Sequence, residues 1–337
     1  MPDSTTTVAE AIEAFRQDLA IRRSPHTVEA YTTALRHLEG FCVEAGQPAD
    51  QMPVAQMNAD MALSFVRWLQ ADNPVSPTTL NIYLTALSRF YRWLMLEGRA
   101  GFSAADYARL QERLADIRGR HPPRPLPHVP SEDAVQALLK AAYGIPLPDD
   151  ANTPQGRRAA LRRLRNIALL EVLRSSGARV GEVVSLRRGD LKYERQAAVV
   201  TGKGRKQRVV YLDDKAWGAL THYLKTRQDG ATGRSLSSLP LFARHDRGAG
   251  SKVLPISTNT VRAAIDELCR AAGVDETITP HLFRHRFATG VLAATHDLAA
   301  TQDLLGHSSP ATTRIYARLT DEDTAEAHRM AQERGRI

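Results

Sequence analysis

Apolar residues recur at Val8, Ile12, Phe15 and Leu19, a spacing of three and four that places them on one face of a helix. The next stretch, "SPHTVEAYTTALRHLEGFCVEAG", opens with Ser24 as an N-cap and Pro25 at the first helical position, and stops near Gly46. "NADMALSFVRWLQA" and "SPTTLNIYLTALSRFYRWLMLEG" follow the same grammar, the second starting at Ser76-Pro77 and ending at Gly98. Four amphipathic helices with short joins predict a small helical domain.

The pattern then breaks. Residues 118–133, "RGRHPPRPLPHVPSED", hold five prolines. Proline removes backbone donors and stiffens the path, so an extended linker is expected here. The domain reading is a helical unit over 1–103, a linker over 104–127 and a second domain over 128–337. A further loop is expected at 143–158. Beyond it "RRLRNIALLEVLRSSG" reads as a helix ending at Gly177, with a shorter helix in "RVGEVVSLRRGDL". In "QAAVVTGKGRKQRVVYL" the period changes. Two β-branched runs, 198–201 and 209–212, flank a basic glycine turn, which is a hairpin signal. Helical segments resume at 213–226, 257–272, 280–294, 297–305, 310–317 and 321–334. The expected fold class is mainly α: an N-terminal four-helix unit, then a mostly helical domain with a small antiparallel β-sheet.

Charge changes the picture by its distribution. The chain has 337 residues, 43% hydrophobic, with 45 Lys+Arg against 37 Asp+Glu. Residues 1–100 hold 8 Arg, no Lys and 11 acids, whereas residues 118–210 hold 19 basic and 8 acidic residues. The positive field therefore belongs mainly to the front of the second half of the chain, and it favours a polyanionic partner. The two cysteines, Cys42 and Cys269, lack CxxC spacing, which excludes a cysteine-rich zinc module and points to a reducing compartment. The N-terminus lacks the basic and apolar regions of a secretory signal, and no stretch reaches the roughly 18 apolar residues of a membrane span. A cytoplasmic protein is the expectation.

Candidate chemistry sits in the second domain. Arg179 lies in "SSGARVGEVVSL", between a helix-ending glycine and the next helix start. Lys203 lies in the hairpin turn. "GKGRK" lacks the spacing of a phosphate-binding P-loop. His281 and Arg284 sit three apart in "TPHLFRHRFAT", and His307 and Tyr316 in "LLGHSSPATTRIYARL". His281 and His285 are four apart, but no glutamate occupies the HExxH position and no cysteine is near, so no metal or cofactor is expected. Singly, each of these residues reads as solvated or packed. Together they are what metal-free attack on a phosphodiester requires. Guanidinium forks match the non-bridging oxygens and stay protonated. Fixed donors stabilise the charge that develops in the transition state. A phenol is a more acidic oxygen nucleophile than serine. Histidine suits proton removal, and a lysine on a hairpin can protonate the leaving 5′-oxygen.

The order Arg … Lys … His-x-x-Arg … His … Tyr resembles the tyrosine recombinase, or phage integrase, family, in its simple two-domain Xer-like or integrase form. "HLFRHRFAT" is similar to the family box H-x-L-R-H-x-F-A-T, with Phe283 where leucine is common. "LLGHSSPATTRIYARL" resembles L-G-H-x-x-x-x-T-x-x-Y. The likeness covers about residues 128–320. More weakly, the first four helices resemble the family's SAM-like core-binding domain. The resemblance implies that Tyr316 forms a 3′-phosphotyrosyl link, Arg179 and Arg284 hold the phosphate, His281 acts as base or proton shuttle, His307 adds a hydrogen bond, and Lys203 is the general acid. It implies a double-stranded DNA partner with an inverted-repeat site, and a tetrameric synapse with a paralogous recombinase or accessory factor as a further candidate partner. Rejoining then needs neither ATP nor metal. Chromosome or plasmid dimer resolution and mobile-element integration or excision both fit. The alternatives are a type IB topoisomerase-like enzyme, a telomere resolvase, and a catalytically silent DNA-binding regulator on the same fold.

Overall fold

The computed structural model describes residues 6–119, 128–148, 150, 153–229, 235–250 and 252–306, with the backbone alone at Gly119 and Lys203. The chain divides into two compact units, with the boundary between Arg124 and Pro125.

The first unit is helical throughout: α1 (Val8–Arg22), α2 (Pro25–Glu44), α3 (Ala59–Ala71), α4 (Pro77–Leu96) and α5 (Ala104–Gly119). The capping residues act as their sequence positions predict. Ser24, Asn58 and Ser76 accept from the backbone N–H three residues on, satisfying donors that a helix start leaves orphaned. The apolar stripes meet in one core that includes Val8, Phe15, Leu38, Phe65, Leu84 and Phe90. Burying each Leu or Phe side chain contributes about 1.5–3 kcal/mol. The fifth helix differs from the expected linker over 104–127. Leu110 and Leu114 of α5 are buried against the same core, so at least 104–119 belongs to this unit. Its start is fixed by Ser103 and Asp106, each accepting from the other's backbone N–H.

The second unit holds α6 (Glu132–Gly144), α7 (Pro154–Ser176), α8 (Val180–Ser185), α9 (Asp214–Arg227), α10 (Thr258–Ala272), α11 (Pro280–Thr295) and α12 (Leu298–Leu305). Helix α7 is the spine, packed against α6, α9 and α11. It starts at Thr153-Pro154, so its first turn occupies the end of the loop expected at 143–158, and α6 occupies its beginning. Strands β1 (Leu191–Lys192), β2 (Ala197–Thr201) and β3 (Gln207–Tyr211) form an antiparallel sheet in the order β1-β2-β3. In the hairpin Val199 faces Val209 and Thr201 faces Gln207, which leaves Lys203 in the turn. Val200 and Val210 face the core, while Val209 and Tyr211 are exposed, the alternation expected of a sheet with one buried face. The helical segments expected at 310–317 and 321–334 lie outside the described residues. Among the described residues, no helix is long and apolar enough to cross a membrane.

Candidate active site

Helix α7 ends at Gly177, whose φ of +58° is a left-handed conformation that glycine adopts without cost. A side chain there would also collide with the Phe287 ring of α11, 2.3 Å from an ideal Cβ. Two residues later Arg179 caps α8, its side chain 43% exposed. Glu182, at the third position of α8, is only 5% exposed and organises the surroundings. Its carboxylate accepts from the Arg179 backbone N–H at 2.8 Å and from Arg179 Nη1 at 3.0 Å. It also accepts both Nη atoms of Arg208, from β3, at 2.9 Å each. Burial pushes the Glu182 carboxyl up, but these hydrogen bonds outweigh it and hold the group below its ordinary value. An ideal Cβ on Gly202 would lie 3.3 Å from Glu182 Oε1, so the root of the lysine turn passes beside the same carboxylate. Gly204 (φ +75°) and Arg205 (φ +60°) make the tight return after Lys203.

Helix α11 supplies the other groups. Pro280 occupies its first turn, and His281 and Arg284 follow one turn apart. Arg284 is 1% exposed. Its Nη1 donates to the Gly177 carbonyl at 2.7 Å and its Nη2 to the Leu305 carbonyl at 2.8 Å. One guanidinium thus joins the end of α7 to the end of α12. Carbonyls at a helix C-terminus lack intrahelical partners, and a cation is a favourable one. The His281 side chain keeps an exposed edge. Burial of the remainder, followed by the Arg284 and Arg179 charges, holds its pKa below the ordinary histidine value, so the neutral form is favoured. His285 packs edge-on against it, ring centroids 4.4 Å apart, and burial lowers its pKa to about 4.

The structure therefore places Arg179, His281 and Arg284 around the end of α7, with the Lys203 turn rooted beside them. His307 and Tyr316 lie outside the described residues, although Leu305, two positions before His307, is held by Arg284. Two residues of this cluster escaped the sequence reading. Glu182 had a local signal, an acid three residues after a helix cap, which is where it accepts the cap's N–H. Arg208 had only its place in a strand.

Comparison with known proteins decides the affiliation. The phage integrase family matches residues 151–323, and the phage integrase N-terminal SAM-like domain matches residues 12–98. The chain belongs to the phage integrase family. It is 33% identical over 328 residues to a protein named tyrosine recombinase XerC from Xanthomonas campestris pv. campestris, covering 97% of this chain and 89% of that one. It is 28% identical to a XerC from Pediococcus pentosaceus, covering 95% and 97% of the two chains. In fold it resembles XerH site-specific recombinase bound to its difH substrate, with TM-score 0.66, 18% identity and coverage of 96% and 84%. It also resembles the Tn1549 transposon integrase in complex with transposon right end DNA, with TM-score 0.64, 16% identity and coverage of 96% and 98%. The enzyme is thus a site-specific recombinase of the tyrosine class, and its catalytic family segment contains all of the cluster above.

Proposed function

We propose that this recombinase cleaves double-stranded DNA through Tyr316. The phenolic oxygen bonds to the scissile phosphorus as the bond to the 5′-oxygen breaks, leaving a 3′-phosphotyrosyl link and a free 5′-hydroxyl. The phenolic proton passes to neutral His281, and Lys203 protonates the departing oxygen. Arg179 and Arg284 stabilise the charge on the non-bridging oxygens. His307 adds a hydrogen bond. Because the covalent link conserves the phosphodiester, reversal by a new 5′-hydroxyl needs no ATP.

The observation that carries this reading is the bond from Arg284 Nη1 to the Gly177 carbonyl at 2.7 Å, which brings Arg284 and His281 of α11 to the turn that carries Arg179. A pair of fixed cations beside a neutral base suits a phosphate in transit better than it suits a purely structural cluster. Full-length similarity to proteins named XerC favours the Xer-like reading over a mobile-element integrase. The partner is then a duplex site with inverted half-sites, bound in the cytoplasm by four protomers that exchange one pair of strands at a time.

The test is a nicked duplex carrying the sequence that the protein selects from a randomised duplex pool. The nick lets the short fragment past the break diffuse away and traps the adduct. Wild type accumulates a covalent complex, whereas Tyr316→Phe binds the duplex and traps nothing. Equal trapping by both excludes Tyr316 as the nucleophile.

A further inference from the structure

We infer that Arg208 is a positioning residue for the cleavage step, locking the end of α12 and the lysine hairpin onto the Arg179–Glu182 pair. This rests on the reading of the site given above. Arg208 lies on β3, five residues after Lys203, and its side chain is only 14% exposed. Its fork is fully directed. Both Nη atoms grip the two oxygens of Glu182 at 2.9 Å, a bidentate arrangement that fixes the guanidinium plane. Its Nε donates to the Leu304 carbonyl at 3.2 Å. Leu304 and Leu305 are the last two residues of α12, and each carbonyl is held by a different arginine, Arg208 and Arg284.

The consequence follows from connectivity. Leu304 is three residues before His307 and twelve before Tyr316. Glu182 holds Arg179 directly. One guanidinium therefore links the strand after the proposed general acid, the carboxylate that orients a phosphate-binding arginine, and the helix end from which the proposed nucleophile segment departs. Gly306 fits the same junction. Its φ is +64°, and an ideal Cβ would stand 2.7 Å from Arg208 Cδ, so the chain passes directly over the arginine stem. Lysine cannot replace this fork, since a single ammonium cannot span both carboxylate oxygens and a carbonyl in one plane.

The experiment uses the full chain and the nicked duplex described above, measuring dissociation constant and single-turnover covalent-complex formation at saturating protein. Arg208→Ala, Arg208→Lys and Gly306→Ala are compared with wild type. For Arg208→Ala the saturating cleavage rate falls about 100-fold, the size of effect that a misplacement near 1 Å produces, while DNA affinity stays within about twofold. Arg208→Lys recovers less than about a tenth of the lost rate, since misplacement and not missing charge causes the defect. Gly306→Ala shows the same split between binding and cleavage from the other side of the contact, and it serves if Arg208→Ala does not fold. Cleavage by Arg208→Ala at the wild-type saturating rate overturns the inference. So does full rescue by lysine, or a loss of affinity that accounts for the whole defect. If wild type forms no adduct, the recombinase reading falls and this inference with it; a wild-type adduct alongside an unimpaired variant removes only this inference.

Discussion

The two units are built on different principles. Among the described residues, the buried arginine, acidic, serine and threonine side chains all lie in the second: Arg165, Glu171, Ser176, Glu182, Arg227, Asp229, Arg284 and Thr301. The first unit instead fills its interior with aromatic and aliphatic groups, with Phe15, Phe90 and Trp93 in mutual ring contact. An apolar core gains stability from area alone and tolerates exchange of one hydrophobic group for another of like volume. A buried charge costs several kcal/mol unless it is paired and hydrogen-bonded. The second unit meets that condition repeatedly: Glu182 with Arg208 and Arg179, Asp229 with Arg227 and Arg188, Arg284 with two carbonyls. It gains directional geometry in return, which a reaction at phosphorus needs and a purely apolar bundle cannot supply.

The sharpest way to break this comparison is to exchange a fixed cation for a small apolar group. Arg284→Ala leaves the Gly177 and Leu305 carbonyls without this donor and removes a positive charge from the site. Covalent-complex formation should fall by at least about 10²–10³, the usual effect of losing one donor to a developing oxyanion. Stability should also fall by about 1–3 kcal/mol for each carbonyl left unsatisfied. Single-turnover trapping and denaturant unfolding measure the two effects separately. Loss of stability with an unchanged cleavage rate would reduce Arg284 to a fold residue.

In the first unit the matching substitution is Leu84→Ala, at a fully buried position of α4. It should destabilise that unit by about 2–5 kcal/mol, as cavity-forming truncations do. Once DNA is saturating at low temperature, the cleavage step should stay at its wild-type rate. Chemical denaturation followed by tryptophan fluorescence in a Trp217→Phe background reads the unit directly, since Trp68 and Trp93 belong to it and Trp217 to the second unit. A large fall in the saturating cleavage rate would show that the apolar unit shares in the catalytic geometry after all.

These contrasts also explain what the sequence disclosed. Helices with serine or asparagine caps and regular apolar spacing, such as α2, α3 and α4, are local objects and could be read along the chain. The hairpin turn and the start of α11 at Pro280 were legible for the same reason. Helix α5 was overlooked because only Leu110 and Leu114 are buried in a strongly polar segment, although Ser103 and Asp106 marked its start. Helix α6 carried a similar mark in Ser131, which caps it. The arginine contacts were not legible by any local rule. Arg284 meets carbonyls 107 and 21 residues away, and Arg208 meets a carboxylate 26 residues away. Motif resemblance named Arg284 without saying what holds it, and it left Glu182 and Arg208 unnamed.

Acid should separate the units by a smaller margin. His245 and His285, held by burial at about 3 and about 4, and His281, also lowered, all lie in the second unit. The unfolded chain protonates histidine near pH 6.5, while the folded unit resists until lower pH. Between those values the unfolded state binds more protons, so stability rises with pH and is lost as pH falls from about 6.5 towards 4. The second unit should therefore lose its unfolding free energy first in that window. Replacing His245 by Gln should flatten the dependence. An equal slope for His245→Gln and wild type would refute the assignment.

The smallest effect tests whether the first unit touches DNA by charge at all. Its first hundred residues are net acidic, yet Arg89 and Arg92 are exposed one turn apart on α4. A residue that meets a phosphate releases about one counterion on binding, so removing it lowers the slope of log affinity against log salt by about one. Arg89→Ala and Arg92→Ala should each weaken binding modestly and reduce that slope, with the covalent step at saturating protein unaltered. The effect is confined to binding because neither residue belongs to the proposed catalytic cluster, and because salt screens an exposed charge that makes no fixed contact. A slope identical to wild type in both variants would mean that the electrostatic grip comes from the arginine-rich second unit, where residues 125–210 carry 16 basic against 8 acidic side chains.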